Sequence, residues 1–243
     1  MAMNKEVPKG LPEEAGKYAT KDQLIIPSEP SKEALALLNK AERVGFGRIF
    51  AVHRFSDVRL TQDIQIPGWN KKPRSWYWDQ IAKGTIDPDA AKLPGTEVLI
   101  DKIRRPNYSI GRQLHKNDPL APFLKKLRKE KKLPTLKVSP DTSRFGIPPD
   151  ELYPIVFAEM TNRLEHEVRL ATEIEFNLLG NFVYPYFGEA NTAEWLHDKF
   201  GDGDRLFGGI SDDGGLAYVN CAMPHIRDVI ITFRPLVVVS PKA

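Results

Sequence analysis

Cysteine and long apolar runs are both scarce in this sequence. Cys221 is the only cysteine among 243 residues, so the chain cannot form an intramolecular disulfide and need not reside in an oxidising compartment. The longest apolar runs, such as residues 236–239, are far shorter than the roughly 20 residues needed to span a bilayer. The first residues contain no apolar segment of the kind found in export signals. We therefore expect a soluble, cytoplasmic protein that does not insert into membranes.

An excess of one charge is also missing. The 35 Lys and Arg residues nearly balance the 32 Asp and Glu residues, and the formal net charge of +3 does not indicate a nucleic-acid partner. The one basic run, residues 125–132, is interpreted as the solvated face of a helix that Asp118 caps and Pro119 opens. A phosphate-binding patch is the alternative, although no aromatic residues are interleaved for base stacking. The inward side of this helix would carry Leu120, Phe123, Leu124 and Leu127.

Side chains with the spacing of metal ligands are absent as well. The histidines are scattered along the chain, at His53, His115, His166, His197 and His225. Four aspartates could supply the oxygen ligands that calcium prefers, namely Asp202, Asp204, Asp212 and Asp213. Glycines alternate with these aspartates, as they do in ordinary turns. We expect no metal and no cofactor, with a calcium site as the open alternative.

The N-terminal third of the chain divides into two segments. Residues 1–30 are rich in Pro, Lys and Glu without periodicity, which indicates a flexible arm. Residues 31–94 are predicted to form an extension with an amphipathic helix that starts at Ser31 and ends at Gly45. Three tryptophans cluster within residues 69–78; a small aromatic core that pins the extension is preferred to a sugar- or peptide-binding platform. The buried face of the helix is predicted to carry Leu35, Leu38 and Ala41.

A larger domain is predicted over residues 95–243. Residues 98–100 indicate a strand, and the Pro148-Pro149-Asp150 sequence opens a helix with a buried apolar stripe. Thr172 and Glu175 form a capping box for a second helix that Gly180 would end. Later apolar runs predict short strands joined by long structured loops; these runs cover residues 216–219, 229–233 and 236–239. The fold class predicted is α+β, with two main helices.

Four short motifs follow one another in this domain. They are Arg-Leu-Ala-Thr-Glu-Ile-Glu-Phe at 169–176, Asn-Thr-Ala-Glu-Trp at 191–195, Gly-Gly-Ile-Ser at 208–211 and Phe-Arg-Pro at 233–235. Their order resembles the formylglycine-generating-enzyme (sulfatase-modifying-factor) branch of the C-type-lectin fold. That family has Pro where this chain has Ala171, Trp in place of Phe176, Gly in place of Thr232, and one residue fewer before the serine. The resemblance implies a C-type-lectin-like fold over residues 95–243.

The resemblance also bears on which residues support the fold. Irregular loops of such a fold must be held by buried polar groups, and we expect Glu194 and Arg234 to form such a tie. Trp195 and Phe233 would fill the core. All four are interpreted as structural rather than catalytic residues.

The known chemistry of that family does not fit this chain. Formylglycine-generating enzymes hold copper with a pair of cysteines, and Cys221 is alone here. The iron-dependent relatives require a histidine cluster, which the spacing does not provide. The resemblance therefore implies a protein that is not an enzyme. A lectin-fold enzyme of unknown chemistry is the alternative.

A narrower resemblance is to the variable proteins of diversity-generating retroelements, which use the same lectin-type frame. Their C-terminal coding region is mutated at adenines, and Asn codons altered in this way cannot encode Lys, Glu, Gln, Trp or Met. Residues 205–241 contain none of the first four, and Met223 is their single Met. This resemblance implies a variable region over about residues 205–235.

Residues 218–231 show neither helical nor strand periodicity, although they lie between frame-like motifs. Such a segment is typical of a diversified surface that binds a macromolecular ligand, for which a protein is expected and a nucleic acid is not. Tyr, His and Arg side chains would be its anchors. The predicted ligand-binding residues are Ile210, Asp212, Asp213, Tyr218, Asn220, Cys221, Ala222, Pro224, His225, Ile226, Arg227, Asp228, Val229 and Ile231.

Overall fold

The computed structural model describes residues 18–239 and has a mixed α+β architecture with a sheet that curls into a half-barrel. Residues 1–17, most of the predicted arm, lie outside the described residues. The helices of the described part are α1 (Lys21–Leu24), α2 (Lys32–Ala41), α3 (Ser75–Ala82), α4 (Ala121–Lys129), α5 (Pro149–Glu151), α6 (Ala158–Leu164) and α7 (Glu173–Phe182). A π-helical segment, Leu152–Phe157, joins α5 to α6. Across residues 18–239 no helix is both long and apolar enough to cross a membrane.

The strands form two four-stranded sheets within the described residues. The strands are β1 (Phe50–Arg54), β2 (Glu97–Asp101), β3 (Val168–Leu170), β4 (Ala193–Phe200), β5 (Asp204–Gly208), β6 (Val219–Ala222), β7 (Ile231–Thr232) and β8 (Pro235–Val239). The first sheet has the order β1-β2-β8-β3 and is antiparallel throughout. The second has the order β6-β5-β4-β7, in which only the β4–β7 pair is parallel. The C-terminal chain therefore contributes to both sheets.

The segment assigned to the N-terminal extension shares a sheet with the larger domain. Strand β1 pairs antiparallel with β2 along its whole length, from Phe50 opposite Asp101 to Arg54 opposite Glu97. Residues 18–30 also pack onto the fold, because Leu24 and Ile25 are buried and Ile25 bridges to Phe55. These contacts hold residues 18–94 and 95–239 around one sheet.

Helix α2 begins as expected but turns a different face inward. Ser31 Oγ accepts the Ala34 backbone N–H at 3.1 Å, which caps the helix. The predicted face was wrong for Leu35, which is 47% exposed, because Ala34 and Leu37 face the sheet instead. The small Ala34 side chain lets the helix pack closely against the sheet, and this tertiary contact decides which face is buried.

The capped helix α7 also differs from its prediction at one end. Thr172 Oγ1 accepts the Glu175 N–H, and Glu175 Oε2 accepts the Thr172 N–H, so the capping box is confirmed. Gly180 does not end the helix, which continues to Phe182. A Cβ at position 180 would lie only 2.3 Å from Leu216 Cδ2, so glycine permits close packing there.

Most of the basic run lies on α4, which begins at Ala121 rather than at Pro119, and the run is only partly solvated. The four predicted inward residues of this helix are buried, as expected. Arg128 was wrongly assigned to the solvated face: it is buried, and its guanidinium donates to the Ser143 and Asp141 carbonyls. Arg128 therefore holds the chain that follows α4 rather than presenting a charge to solvent.

The tryptophan cluster packs largely into the core. Trp69 and Trp78 are buried, and Trp69 Nε1 donates to Asn177 Oδ1 of α7 at 2.5 Å. Trp78 Nε1 donates to the Pro73 carbonyl at 3.1 Å. The interpretation of this segment as an aromatic core is confirmed for these two residues.

Candidate ligand-binding surface

Glu194 and Arg234 form a buried bidentate pair beside the predicted variable segment. Arg234 Nε and Nη2 donate to the two Glu194 carboxylate oxygens at 2.9 and 2.6 Å, and Arg105 Nη1 lies 3.1 Å from Glu194 Oε1. Burial raises the pKa of Glu194, but the charges of Arg234 and Arg105 outweigh that effect and hold the pKa below its ordinary value. The predicted structural tie is confirmed, and Trp195 and Phe233 are buried in the core beside it.

Two further arginines bind carboxylates inside the fold. Arg144 donates through Nε and Nη2 to both oxygens of Asp118, at 2.7 and 2.6 Å, and through Nη1 to Asp101. Arg169 donates to both oxygens of Glu175, each at 2.7 Å. These pairs and the Arg105–Arg234–Glu194 cluster are called the arginine frame below. Sequence reasoning missed Arg105 and Arg144, because their partners are distant in the chain.

Part of the predicted ligand-binding set lies on the edge strand β6. Tyr218, Asn220 and Ala222 alternate onto one face with Phe207 of β5, while Cys221 packs toward the opposite core. Asn220 Nδ2 donates to Tyr218 Oη at 3.3 Å, and the Arg74 guanidinium lies 5.0 Å above the Tyr218 ring. Tyr218 and Asn220 remain partly exposed.

The loop of residues 223–230 carries most of the other predicted residues. His225 and Arg227 are exposed, and Pro224, Ile226, Asp228 and Val229 are partly exposed. The loop is anchored from outside: Asp150 N donates to the Pro224 carbonyl at 3.1 Å, Arg227 pairs with Glu151, and Gln113 donates to the Val229 carbonyl. We call this loop, together with Tyr218, Asn220 and Ala222, the display surface.

Four predicted residues lie elsewhere. Ile231 is buried in β7, and Ile210 is buried at the start of a turn, so neither presents its side chain to solvent. Asp212 and Asp213 are exposed in the loop that leads back to Tyr218, which the Gly209 N–H to Tyr218 carbonyl bond closes at 3.1 Å. In the described part of the chain, no three His, Cys, Asp or Glu side chains converge as metal ligands would.

A cleft of about 460 Å³ lies near α7, and we call it the acid cleft. Its buried acid is Asp198, whose Oδ2 accepts the Glu173 backbone N–H at 2.7 Å. Burial raises the pKa of Asp198 to about 7. The side chains and backbone around the cleft come from Ile86, Asp87, Asp89, Ala90, Thr172, His197, Asp198, Lys199 and Arg205.

Two other titratable groups adjoin the acid cleft. Burial, reinforced by the Asp198 charge, raises the pKa of Glu173 well above its ordinary value. Neither Glu173 oxygen has a well-formed hydrogen bond within residues 18–239, although the Asn177 amide interacts weakly with it. Burial and the Arg169 charge lower the pKa of His197 to about 4, and its Nδ1 shares a 2.8 Å hydrogen bond with Tyr153. Sequence reasoning missed this site.

No protein-family model matches the chain, and no curated protein or solved structure shows significant similarity to it. The resemblance to lectin-type variable proteins therefore rests on the sequence motifs alone.

Proposed function

We propose that this protein is a non-enzymatic binding protein with a C-type-lectin-like frame, and that it presents the display surface to a protein partner. The observation that carries the proposal is the contrast between the buried arginine frame and the exposed residues beside it. Glu194 and Arg234 flank the segment in the chain and join β4 to the start of β8. The residues between them that reach solvent can change without touching these ties.

Rigid support favours binding by this surface. Loop 223–230 is anchored to Asp150, Glu151 and Gln113, so its backbone is ordered before a ligand arrives. A surface that is already ordered loses less conformational entropy on binding than a mobile loop would. Tyr218, His225 and Arg227 supply the aromatic and planar charged groups that commonly dominate protein interfaces.

Retroelement-driven mutagenesis at adenines accounts for the composition of this region within the same proposal. The codons of exposed residues would be its targets, whereas Ile210 and Ile231 would belong to the frame because they are buried. This assignment narrows the ligand-binding set to side chains that reach solvent. It also predicts where sequence variation can occur without loss of folding.

The genomic locus provides the test of this proposal. We expect a nearby reverse-transcriptase gene and a second copy of the region that encodes residues 208–235. The copy should differ at adenines, and the affected codons should include those of Tyr218, Asn220 and His225 but not those of Phe233 and Arg234. Absence of both the copy and the transcriptase would remove the retroelement from the proposal, and differences concentrated at buried positions would contradict the display surface.

The acid cleft favours an enzyme as the second candidate function. A carboxyl with a pKa near 7 that borders a 460 Å³ cleft could act as a general acid or base at neutral pH. Assays with ester and glycoside model substrates would test this role in the wild-type chain and in Asp198→Asn. Turnover that follows a titration near pH 7 and disappears in the variant would favour the enzyme, whereas equal background rates would count against it.

A further inference from the structure

A group of exposed apolar side chains lies next to the display surface and consists of residues outside it. Tyr108, Ile110, Leu114 and Val138 are 45%, 82%, 44% and 53% exposed. Single exposed apolar residues are ordinary, but several within one short segment, as at residues 108–114, commonly mark an interaction site. Val138 Cγ2 lies only 3.4 Å from the position of a Cβ on Gly111, next to Ile110. We call residues 108–116 together with Val138 the apolar patch.

The backbone at Ile110 is held in a conformation that disfavours its side chain. Its φ is +50°, in the left-handed region that β-branched residues rarely adopt. The conformation is imposed by neighbours, since Arg112 N donates to the Ser109 carbonyl at 2.8 Å and Ser109 N donates to Gln113 Oε1 at 3.1 Å. The left-handed backbone at Ile110 and the exposure of its apolar side chain to water each cost free energy. Such backbone strain is concentrated at functional sites.

The patch is preformed rather than loose. Asn191 exchanges two hydrogen bonds with its base, from Asn191 N to Asn107 Oδ1 at 3.1 Å and from Tyr108 N to Asn191 Oδ1 at 2.8 Å. On the other side, Ser139 Oγ donates to the Gly111 carbonyl at 2.9 Å. A ligand would therefore meet a surface whose backbone is already fixed.

Positively charged side chains lie beside these apolar residues. In the extended segment after Gly111, the exposed residues are Arg112, Leu114 and Lys116. Beside Leu114 and Lys116 is a cavity of about 400 Å³, which Arg104 also borders. The acid on its wall, Glu189, is already paired with Arg104 at 2.8 Å. Within the described chain, the side chains of Arg112 and Lys116 have no acidic partner.

We propose that the apolar patch and the adjoining cavity bind an acidic peptide segment of a partner protein. An apolar side chain of the peptide covers Ile110 and Leu114, and a neighbouring carboxylate enters the cavity beside Lys116. The aliphatic character favours a peptide over a nucleic acid, since single strands are bound mainly by aromatic stacking platforms. The patch adjoins loop 223–230 through the bond from Gln113 to the Val229 carbonyl, but it does not depend on the proposed function of that loop.

Ile110→Asn is the decisive variant. Asparagine adopts the left-handed conformation more readily than isoleucine, so the variant should fold at least as stably as the wild type while the apolar contact is lost. Random peptides displayed on phage would be selected on the full chain, and the selected peptides would be labelled for fluorescence anisotropy. We expect Asp or Glu next to Leu, Ile or Phe in these peptides, and affinities weaker by about 10-fold or more in Ile110→Asn and Leu114→Ser.

Matched controls separate this site from others. Leu35→Ser alters a residue of similar exposure on α2 and should leave the affinity for the peptides unchanged. His225→Ala should also leave it unchanged, because His225 belongs to the display surface. Equal binding by Ile110→Asn and wild type, or selected peptides without acidic residues, would overturn the proposal. Tight, strongly salt-dependent binding of a single-stranded oligonucleotide that Lys116→Glu abolishes and Ile110→Asn does not would overturn it in favour of a nucleic acid.

Discussion

Two glutamates on the first turn of α7 have the same burial and opposite surroundings. Glu175 faces Arg169, which holds its pKa below the ordinary value despite the opposing effect of burial. Glu173, two residues earlier, has no arginine salt bridge within residues 18–239, and burial together with the charge of the neighbouring Asp198 raises its pKa. Both side chains are fully buried. Pairing, rather than burial, therefore decides which buried carboxyl is charged in this fold.

The arginine frame and the acid cleft respond to pH in opposite directions. In the arginine frame, Glu175 and Glu194 stabilise the fold while they remain ionised, and their contribution is lost as pH falls through their lowered folded pKa values. Asp198 in the acid cleft and the adjoining Glu173 are more readily protonated in the folded state than in the unfolded chain, so their contribution is lost as pH rises. The arginine frame therefore stabilises the fold through charged pairs, whereas the acid cleft places titratable carboxyls beside a cavity.

The largest effect is expected when the two glutamates are neutralised separately. Glu175→Gln leaves Arg169 buried without its counter-charge and should lower the free energy of unfolding by about 3–5 kcal/mol. Glu173→Gln replaces a carboxyl that is mostly uncharged with an amide of similar shape, so its effect at mildly acidic pH should stay below about 1 kcal/mol. Urea denaturation of both variants measures the difference. Similar losses in the two variants would contradict the role assigned to pairing.

A smaller effect is expected from the pH dependence of Asp198. Its folded pKa of about 7 exceeds the ordinary aspartate value of 3.8, so the folded state binds the extra proton and stability falls as pH rises between these values. Wild type should lose up to about 4 kcal/mol relative to Asp198→Asn over that window. Burial lowers the pKa of His53 and of His197 to about 4. Both histidines therefore make stability rise with pH, and they do so equally in wild type and in Asp198→Asn.

Denaturation of wild type and Asp198→Asn across this pH range measures the difference directly. Asp213→Asn, which changes an exposed aspartate, serves as the matched control and should track the wild type. A constant difference between wild type and Asp198→Asn at every pH would show that Asp198 is ionised in the folded protein.

The smallest effect is expected in the display surface. Arg227 and Glu151 form a partly exposed pair, and Arg227→Ala should change the free energy of unfolding by less than about 1 kcal/mol. His225→Ala, at an exposed site in the same loop, is the comparison in urea denaturation. A loss above about 2 kcal/mol in Arg227→Ala would place this loop with the arginine frame.

Local signals predicted the fold where neighbours in sequence decide the structure. The capping box of Thr172 and Glu175 and the buried strand around Leu99 depend on spacing within a few residues, and both were predicted. The inward face of α2 and the continuation of α7 past Gly180 depend on what packs against them, so local patterns misassigned both. The C-type-lectin assignment itself stays a prediction.

In the candidate site too, features set by neighbouring residues were predicted and features set by distant residues were not. The frame pair of Glu194 and Arg234 followed from motif residues, whereas Arg144 binds Asp101 across 43 positions in the chain and carries no local signal. The predicted binding set included Ile231, whose side chain packs into the hydrophobic core although β7 is an edge strand. The acid cleft went unpredicted, since a glutamate after an N-cap is equally expected on an exposed first turn.

The positions of β6 and β7 at opposite edges of one sheet also limit how this protein can evolve. Loop 223–230 must span three strand spacings, about 14 Å, and its far end is fixed by the Ala193 N–H bond to the Ile230 carbonyl. A deleted or inserted residue would shift β7 along β4 and carry Arg234 away from Glu194. The diversification proposed for this loop therefore predicts substitutions of its side chains at constant loop length.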